Sequence, residues 1–125
     1  MNNTITAKKI SFKTRMMSKG SLVQVATDVL GATNIFSEPG LSTYKLNDGT
    51  LLEFHGSGFF QPARIFDKGD QVVSFQVIDL EASVQKMKVA GAITIDGIIR
   101  PYPTYAFCHF ILDNEFIIGL YELTA

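Results

Sequence analysis

The residues able to do chemistry in this sequence are few and unevenly placed. It holds two histidines and a single cysteine. His55 stands two residues after Glu53 in the run Leu51-Leu52-Glu53-Phe54-His55. Side chains alternate between the faces of a strand, so Glu53 and His55 would share one face. A carboxylate beside an imidazole can ligate a metal, or it can be a hydrogen-bonded or solvent-facing pair. His109 lies in Tyr105-Ala-Phe-Cys-His-Phe-Ile-Leu112, where both faces are apolar, so its side stays unassigned. Cys108 and His109 are neighbours and would point to opposite faces, which argues against a Cys–His nucleophilic pair. Gly56-Ser57-Gly58 precedes no helical pattern and no Lys-Ser/Thr, so it is not a phosphate-binding loop.

Composition sets the frame. The 125 residues suit one domain with a core of its own, needing no disulfide or structural metal. A formal charge of −1 gives no general attraction to nucleic acid or to an anionic membrane. One cysteine excludes an intrachain disulfide and suits a reducing compartment. No apolar run approaches the roughly 18–20 residues of a membrane span. Met1 to Lys9 lacks the apolar stretch of a secretory signal, and the expected location is cytoplasmic. Ten phenylalanines suit an apolar ligand cavity as well as a plain core.

Two segments carry helical periodicity. Ser18 to Leu30 spaces Leu22, Val25, Ala26, Val29 and Leu30 at three to four residues, with Ser18 as cap and Gly31 as stop. Asp79 to Ala90 puts Leu80, Val84 and Met87 on one face behind an Asp79 N-cap, and ends at Gly91. Strands are predicted at Lys8–Thr14, Thr33–Phe36, Ser42–Leu46 and Thr50–His55. A second set follows at Val72–Ile78, Ile93–Ile98, Tyr105–Leu112 and Phe116–Leu123. Asn47-Asp48-Gly49 and Asp113-Asn114 have the residues that hairpin turns require.

The same order of elements thus occurs twice, and an internal repeat supports it. Ile10-Ser11-Phe12-Lys13-Thr14 aligns with Val73-Ser74-Phe75-Gln76-Val77, and the helices end in Leu30-Gly31-Ala32 and Ala90-Gly91-Ala92. The predicted organisation is a tail over residues 1–7, a first module over about 8–56, a linker over about 57–70 and a second module over about 71–123.

Val-Ile-Asp79-Leu80-Glu81-Ala82, the Gly-Ala helix ends and the exits Asp48-Gly49-Thr50-Leu51-Leu52-Glu53 and Asp113 to Glu122 carry a family likeness. The chain resembles the glyoxalase/bleomycin-resistance (vicinal oxygen chelate) superfamily over about residues 8 to 123. The resemblance implies an α+β fold in which two βαβββ modules form a cup-shaped mixed sheet with helices on its convex side. Metal-dependent members of that family hold a divalent ion between a first-strand His and a last-strand Glu of each module. Carried over, the His positions fall on Lys9 and Val72 and the Glu positions on Glu53 and Gly119. One ligand of four is present, and Lys9 would repel a cation. No cofactor is expected; Glu53 and His55 remain as candidate ligands outside the family arrangement.

If Phe12 and Phe75 pack under the helices, alternation turns Ser11, Lys13, Ser74 and Gln76 to the concave face, with Glu53, His55, Gly119 and Tyr121. These groups either line a small-molecule site or satisfy one another, with Lys13 pairing Glu53. Gly119 either opens space at the floor or permits close strand approach. Arg100, Tyr102 and Tyr105, in a proline-stiffened segment, either clamp a ligand over the cup mouth or form a plain loop.

The leading functional expectation is a small-molecule-binding protein that works without a catalytic metal. The alternatives are a metal-dependent lyase, isomerase or dioxygenase of the same superfamily, and a structural or regulatory dimerisation module. The resemblance also implies a homodimer.

Overall fold

The computed structural model describes residues 9–15, 21–38, 40–56 and 63–124, the side chains of Ser21, Glu38, Ala63, Arg64 and Tyr102 excepted. The predicted tail, the Ser18 cap and most of the linker and of Gly56-Ser57-Gly58 lie outside the described residues. Eight strands are present: β1 (Ile10–Arg15), β2 (Thr33–Glu38), β3 (Leu41–Lys45), β4 (Leu51–His55), β5 (Gln71–Gln76), β6 (Ile93–Tyr102), β7 (Tyr105–Leu112) and β8 (Phe116–Leu123). They form one mixed sheet in the order β2-β3-β4-β1-β5-β8-β7-β6.

Each module folds alike. Its first strand lies parallel to its last, β1 against β4 and β5 against β8, with the remaining strands antiparallel outward. The modules join through antiparallel pairing of β1 with β5, where Ser11 faces Ser74. Those two serines are also equivalent in the sequence repeat, so the pseudo-twofold axis runs between them. The expected α+β architecture of two βαβββ modules is the one observed.

Strand alternation decides what each face holds. Val77, Ala106, Cys108, Phe110 and Leu120 turn to one side and bury Leu80 and Val84 of helix α2 (Leu80–Val89). The Asp79 carboxylate accepts from the Ala82 amide at 3.1 Å, satisfying an otherwise orphaned helix donor as its position predicts. In the first module Phe54 and Ala32 pack with Ala26. The opposite, concave face carries Ser11, Lys13, Glu53, His55, Ser74, His109 and Tyr121, all buried.

Two elements differ from expectation. The first helix is short, α1 (Ser21–Gln24) continuing into a π-helical turn (Val25–Val29). The wider turn, with Leu30 N–H donating to the Val25 carbonyl at 3.0 Å, rotates the predicted apolar face away from the sheet. Ala26 is buried, whereas Leu22, Val25, Val29 and Leu30 are exposed, Val29 by 73%. Strand β6 runs to Tyr102 instead of ending at Ile98. Asp96 and Gly97 both take left-handed backbone (φ 59° and 68°) and the register shifts between Ile95 and Ile99. The Asp-Gly pair thus makes a bulge inside a strand, not the start of a loop. Pro101 is tolerated because β6 is an edge strand. The Asp113-Asn114 turn is as predicted, with φ of 55° and 54°.

Phe12 is the remaining departure. It faces the helix side but stays half-exposed, beside a hollow of about 340 Å³ lined also by Ile65, Gln71, Val73, Phe116 and Ile118. Among the described residues that line it, the titratable Lys68 and Glu115 are exposed. Among the described residues no helix is long and apolar enough to cross a membrane.

Candidate functional site

The concave floor gathers polar side chains in the middle of the sheet, where a plain core would be apolar. Lys13 on β1 has Glu53 of β4 and Val72 of β5 as its strand partners. It is only 1% exposed. Its Nζ lies 3.0 Å from His109 Nε2 and 4.7 Å from the centre of the Phe107 ring. Glu53 turns elsewhere: Ser11 Oγ donates to its Oε2 at 2.5 Å, and His55 Nε2 lies 3.6 Å from its Oε1. Of the two readings of these groups, the one that pairs Lys13 with Glu53 is not met by a contact ion pair. The two are neighbours in register, but no salt bridge joins their charged ends, and each takes a different partner.

Burial governs the protonation of these groups. Desolvation lowers the Lys13 pKa, with only partial opposition from the charge of Glu53. Burial also pushes the Glu53 carboxyl upward, but the charge of Lys13, the close His55 ring and the hydrogen bond from Ser11 outweigh it and leave the pKa lowered. His109 is held well below its usual range, first by burial, then by the charges of Lys13 and His55. A neutral His109 accepting from a Lys13 ammonium at Nε2 must carry its own hydrogen on Nδ1. Tyr121 is pushed up to about 12 by burial and by the charge of Glu53.

Three buried polar atoms on this face have no hydrogen-bond partner among the described residues: Ser74 Oγ, His109 Nδ1 and Tyr121 Oη. All three can donate. The wall beside them is aromatic. Tyr105 packs against Phe107 at 5.5 Å and against Tyr121 at 6.4 Å between ring centres, and Phe107 meets His109 edge-on at 5.4 Å. His55 packs against Phe66 at 5.8 Å, bringing the Ala63–Phe66 3-10 turn over that end of the cup.

Of the residues predicted for the site, Lys13, Glu53, His55, Ser74 and Tyr121 come together, and Gln76 is half-buried on the same face opposite Tyr121. Arg100 does not join them. Its guanidinium is 3.5 Å from Glu122, whose other oxygen accepts from the Leu80 amide at the start of α2. Glu122 follows Tyr121 on β8 and so faces the helix side, which draws Arg100 away from the cup. Tyr102 closes β6, paired with Tyr105, and its side chain lies outside the description. His109 and Phe107 were missing from the predicted set. The usable signal was small residues: Ala106 and Cys108 fit beneath α2, which leaves Tyr105, Phe107 and His109 for the cup.

Gly119 also reads differently in three dimensions. A Cβ there would sit 2.4 Å from Ser74 Oγ and 2.9 Å from His109 Cδ2. The missing side chain makes room for Ser74 and His109, not for a ligand. Strand register further shows that Gly119, opposite Ser74, corresponds to Leu51, opposite Ser11. The equivalent of Glu53 is Tyr121, opposite Gln76, and not Gly119.

No protein-family model matches the sequence, and no curated protein matches it. Solved structures do. Methylmalonyl-CoA epimerase from Streptomyces coelicolor is similar with a TM-score of 0.69 at 12% identity, covering 98% of this chain and 100% of that one. The epimerase from Mycobacterium tuberculosis gives 0.67 at 14% identity, covering 97% and 90%. A glyoxalase/bleomycin resistance protein/dioxygenase superfamily member from Vibrio splendidus gives 0.62 at 16% identity, covering 94% and 99%. The chain has the vicinal oxygen chelate fold.

The donor set on the floor does not fit the divalent ion held by metal-dependent proteins of that fold. Among the described residues no three His, Cys, Asp or Glu side chains are placed to share an ion. The register puts Tyr121 where the second glutamate would stand, and Val72 is apolar. Lys9 is exposed and donates to the Asp48 carbonyl. Lys13 Nζ already occupies the lone pair of His109.

Two outcomes follow from this packing. Gly119→Ala is expected to cost about 1–3 kcal/mol through overpacking. Ser74→Ala in the same chain should recover part of that loss, as read from urea denaturation of the single and double variants. The second concerns acid. Because the folded-state pKa of His109 is depressed, the unfolded chain takes up its proton first, near the ordinary value of 6.5. Stability is full above that pH and falls as pH drops from about 6.5 toward the folded pKa. His109→Gln should flatten the fall in melting temperature measured across that interval.

Proposed function

We propose that this protein binds a small molecule in its concave cup without a catalytic metal, with the Lys13 amine buried at its floor. The observation that carries the reading is the set of partnerless donors Ser74 Oγ, His109 Nδ1 and Tyr121 Oη on one buried face. Buried polar groups are nearly always hydrogen-bonded, so three on one floor favour an acceptor-bearing guest. Phe107, Tyr105 and Tyr121 add the apolar wall that small-molecule sites use for affinity. The fold itself hosts many activities and does not choose among them. A metal-dependent lyase, isomerase or dioxygenase has one family ligand in its favour, Glu53, and that carboxylate is already engaged by Ser11 and His55.

Thermal melts with benzyl alcohol, benzamide, benzoate and benzylamine test the reading. At least one acceptor-bearing compound should raise the melting temperature, by about 2.7 kcal/mol of stability at a hundredfold excess over Kd. Tyr121→Phe should reduce that shift. Elemental analysis decides the alternative: a stoichiometric divalent metal whose chelation lowers the melting temperature would overturn the metal-free reading.

The proposed assembly is a homodimer. It is supported by the apolar side chains that the π-helical turn and edge strand β2 leave exposed, Leu22, Val25, Val29, Leu30, Ile35 and Phe36. Light scattering after size exclusion should give twice the chain mass. The pair Val29→Glu and Ile35→Glu should give a folded monomer.

A further inference from the structure

Lys13 is the least expected residue of the floor. A lysine amine is normally solvated or held by a carboxylate, and this one is neither. It is buried, has the neutral imidazole of His109 at 3.0 Å, and has the Phe107 ring on another side. The nearby Glu53 spends its oxygens on Ser11 and His55. An ammonium in such surroundings loses hydration without gaining a contact ion pair, which favours the free amine. The free amine is the nucleophilic form of lysine.

From this arrangement we infer that the cup takes an aldehyde or ketone and holds it as a reversible imine on Lys13 Nζ. The inference rests on the cup admitting a small molecule, as proposed above. The unprotonated Lys13 amine attacks the carbonyl carbon through its nitrogen lone pair, and once bonded gives up an N–H proton. A C–N bond forms, and the carbonyl oxygen takes a proton to give the carbinolamine. The C–O bond then breaks, water leaves, and loss of the nitrogen proton gives the C=N bond. The sum is carbonyl compound plus amine to imine plus water, with no oxidant or reductant. His109 Nε2, already in contact with the amine, is placed to take its proton. Tyr121 Oη and Ser74 Oγ, without other partners among the described residues, are donors for the carbonyl oxygen. The aromatic wall of Phe107, Tyr105 and Tyr121 selects an aryl or other flat apolar group on the carbonyl carbon.

The test uses the native full chain with benzaldehyde and sodium cyanoborohydride, which reduces the imine to a stable secondary amine that peptide mass spectrometry locates. Lys13 should carry about tenfold more label than exposed Lys68 or Lys88, as expected when burial lowers the pKa of one amine and leaves the others solvated. His109→Gln, which keeps the lysine, should lower the Lys13 labelling rate. Benzyl alcohol, which cannot form an imine, should compete with the labelling. Label spread evenly over the lysines with Lys13 no richer, while benzyl alcohol still raises the melting temperature, would overturn the imine and leave the binding cup standing. Absence of both Lys13 label and any melting shift from either compound would overturn the two together.

Discussion

The antiparallel pairing of β1 with β5 is the constraint on which the rest of the molecule depends. It sets Ser11 against Ser74 on the pseudo-twofold axis and thereby fixes which side chains of both modules share the floor. A slip of one residue would turn Lys13 toward the helices and Phe12 into the cup, because the side-chain period of a strand is two. Nothing local specifies this register. The faces do: Phe54, Val77, Phe110 and Leu120 have helices to bury them, and the polar residues between them have only the cup.

A polar floor is costly, and the arrangement of its groups limits the cost without removing it. Desolvation of Glu53 is offset by the field of Lys13, the neighbouring His55 ring and the hydrogen bond from Ser11, which together hold its pKa low. Lys13 has weaker compensation. A neutral imidazole and an aromatic face return a few kcal/mol at most, against a larger desolvation cost for an ammonium. Replacing such a lysine with an apolar residue would ordinarily stabilise a fold. Lys13 is therefore kept at a cost in stability. The unpartnered donors of Ser74, His109 and Tyr121 make the same point with neutral groups.

The architecture was legible in the sequence because it is written twice. The Ser-Phe strand repeat, the Gly-Ala helix ends and the Asp-led turns each recur in order, and the observed sheet has the symmetry they imply. What stayed hidden was local geometry that one-dimensional spacing does not encode. A single π turn moves Leu22, Val25 and Val29 off the buried face although their spacing is helical. The predicted strand Ile93–Ile98 runs straight through Asp96-Gly97, whereas both residues take left-handed backbone and form a bulge. Within the site, alternation correctly grouped Lys13, Glu53, His55, Ser74 and Tyr121. It failed for His109, where residues on both sides of the strand are apolar and only the small size of Ala106 and Cys108 marks the helix side.

The repeat also explains how a symmetric scaffold acquires an asymmetric floor. Equivalent positions carry Lys13 and Gln76, Glu53 and Tyr121, Leu51 and Gly119. In each pair the first module supplies the charged or bulky member and the second a neutral polar or minimal one. All the charge therefore lies on one side of the axis and the unpartnered donors on the other, with His109 reaching across from β7 because Gly119 leaves it room. The divergence leaves unlike donors on the two sides of the axis. An amine on one side therefore faces hydroxyl donors on the other, and that polarity follows directly from the way the two halves have diverged.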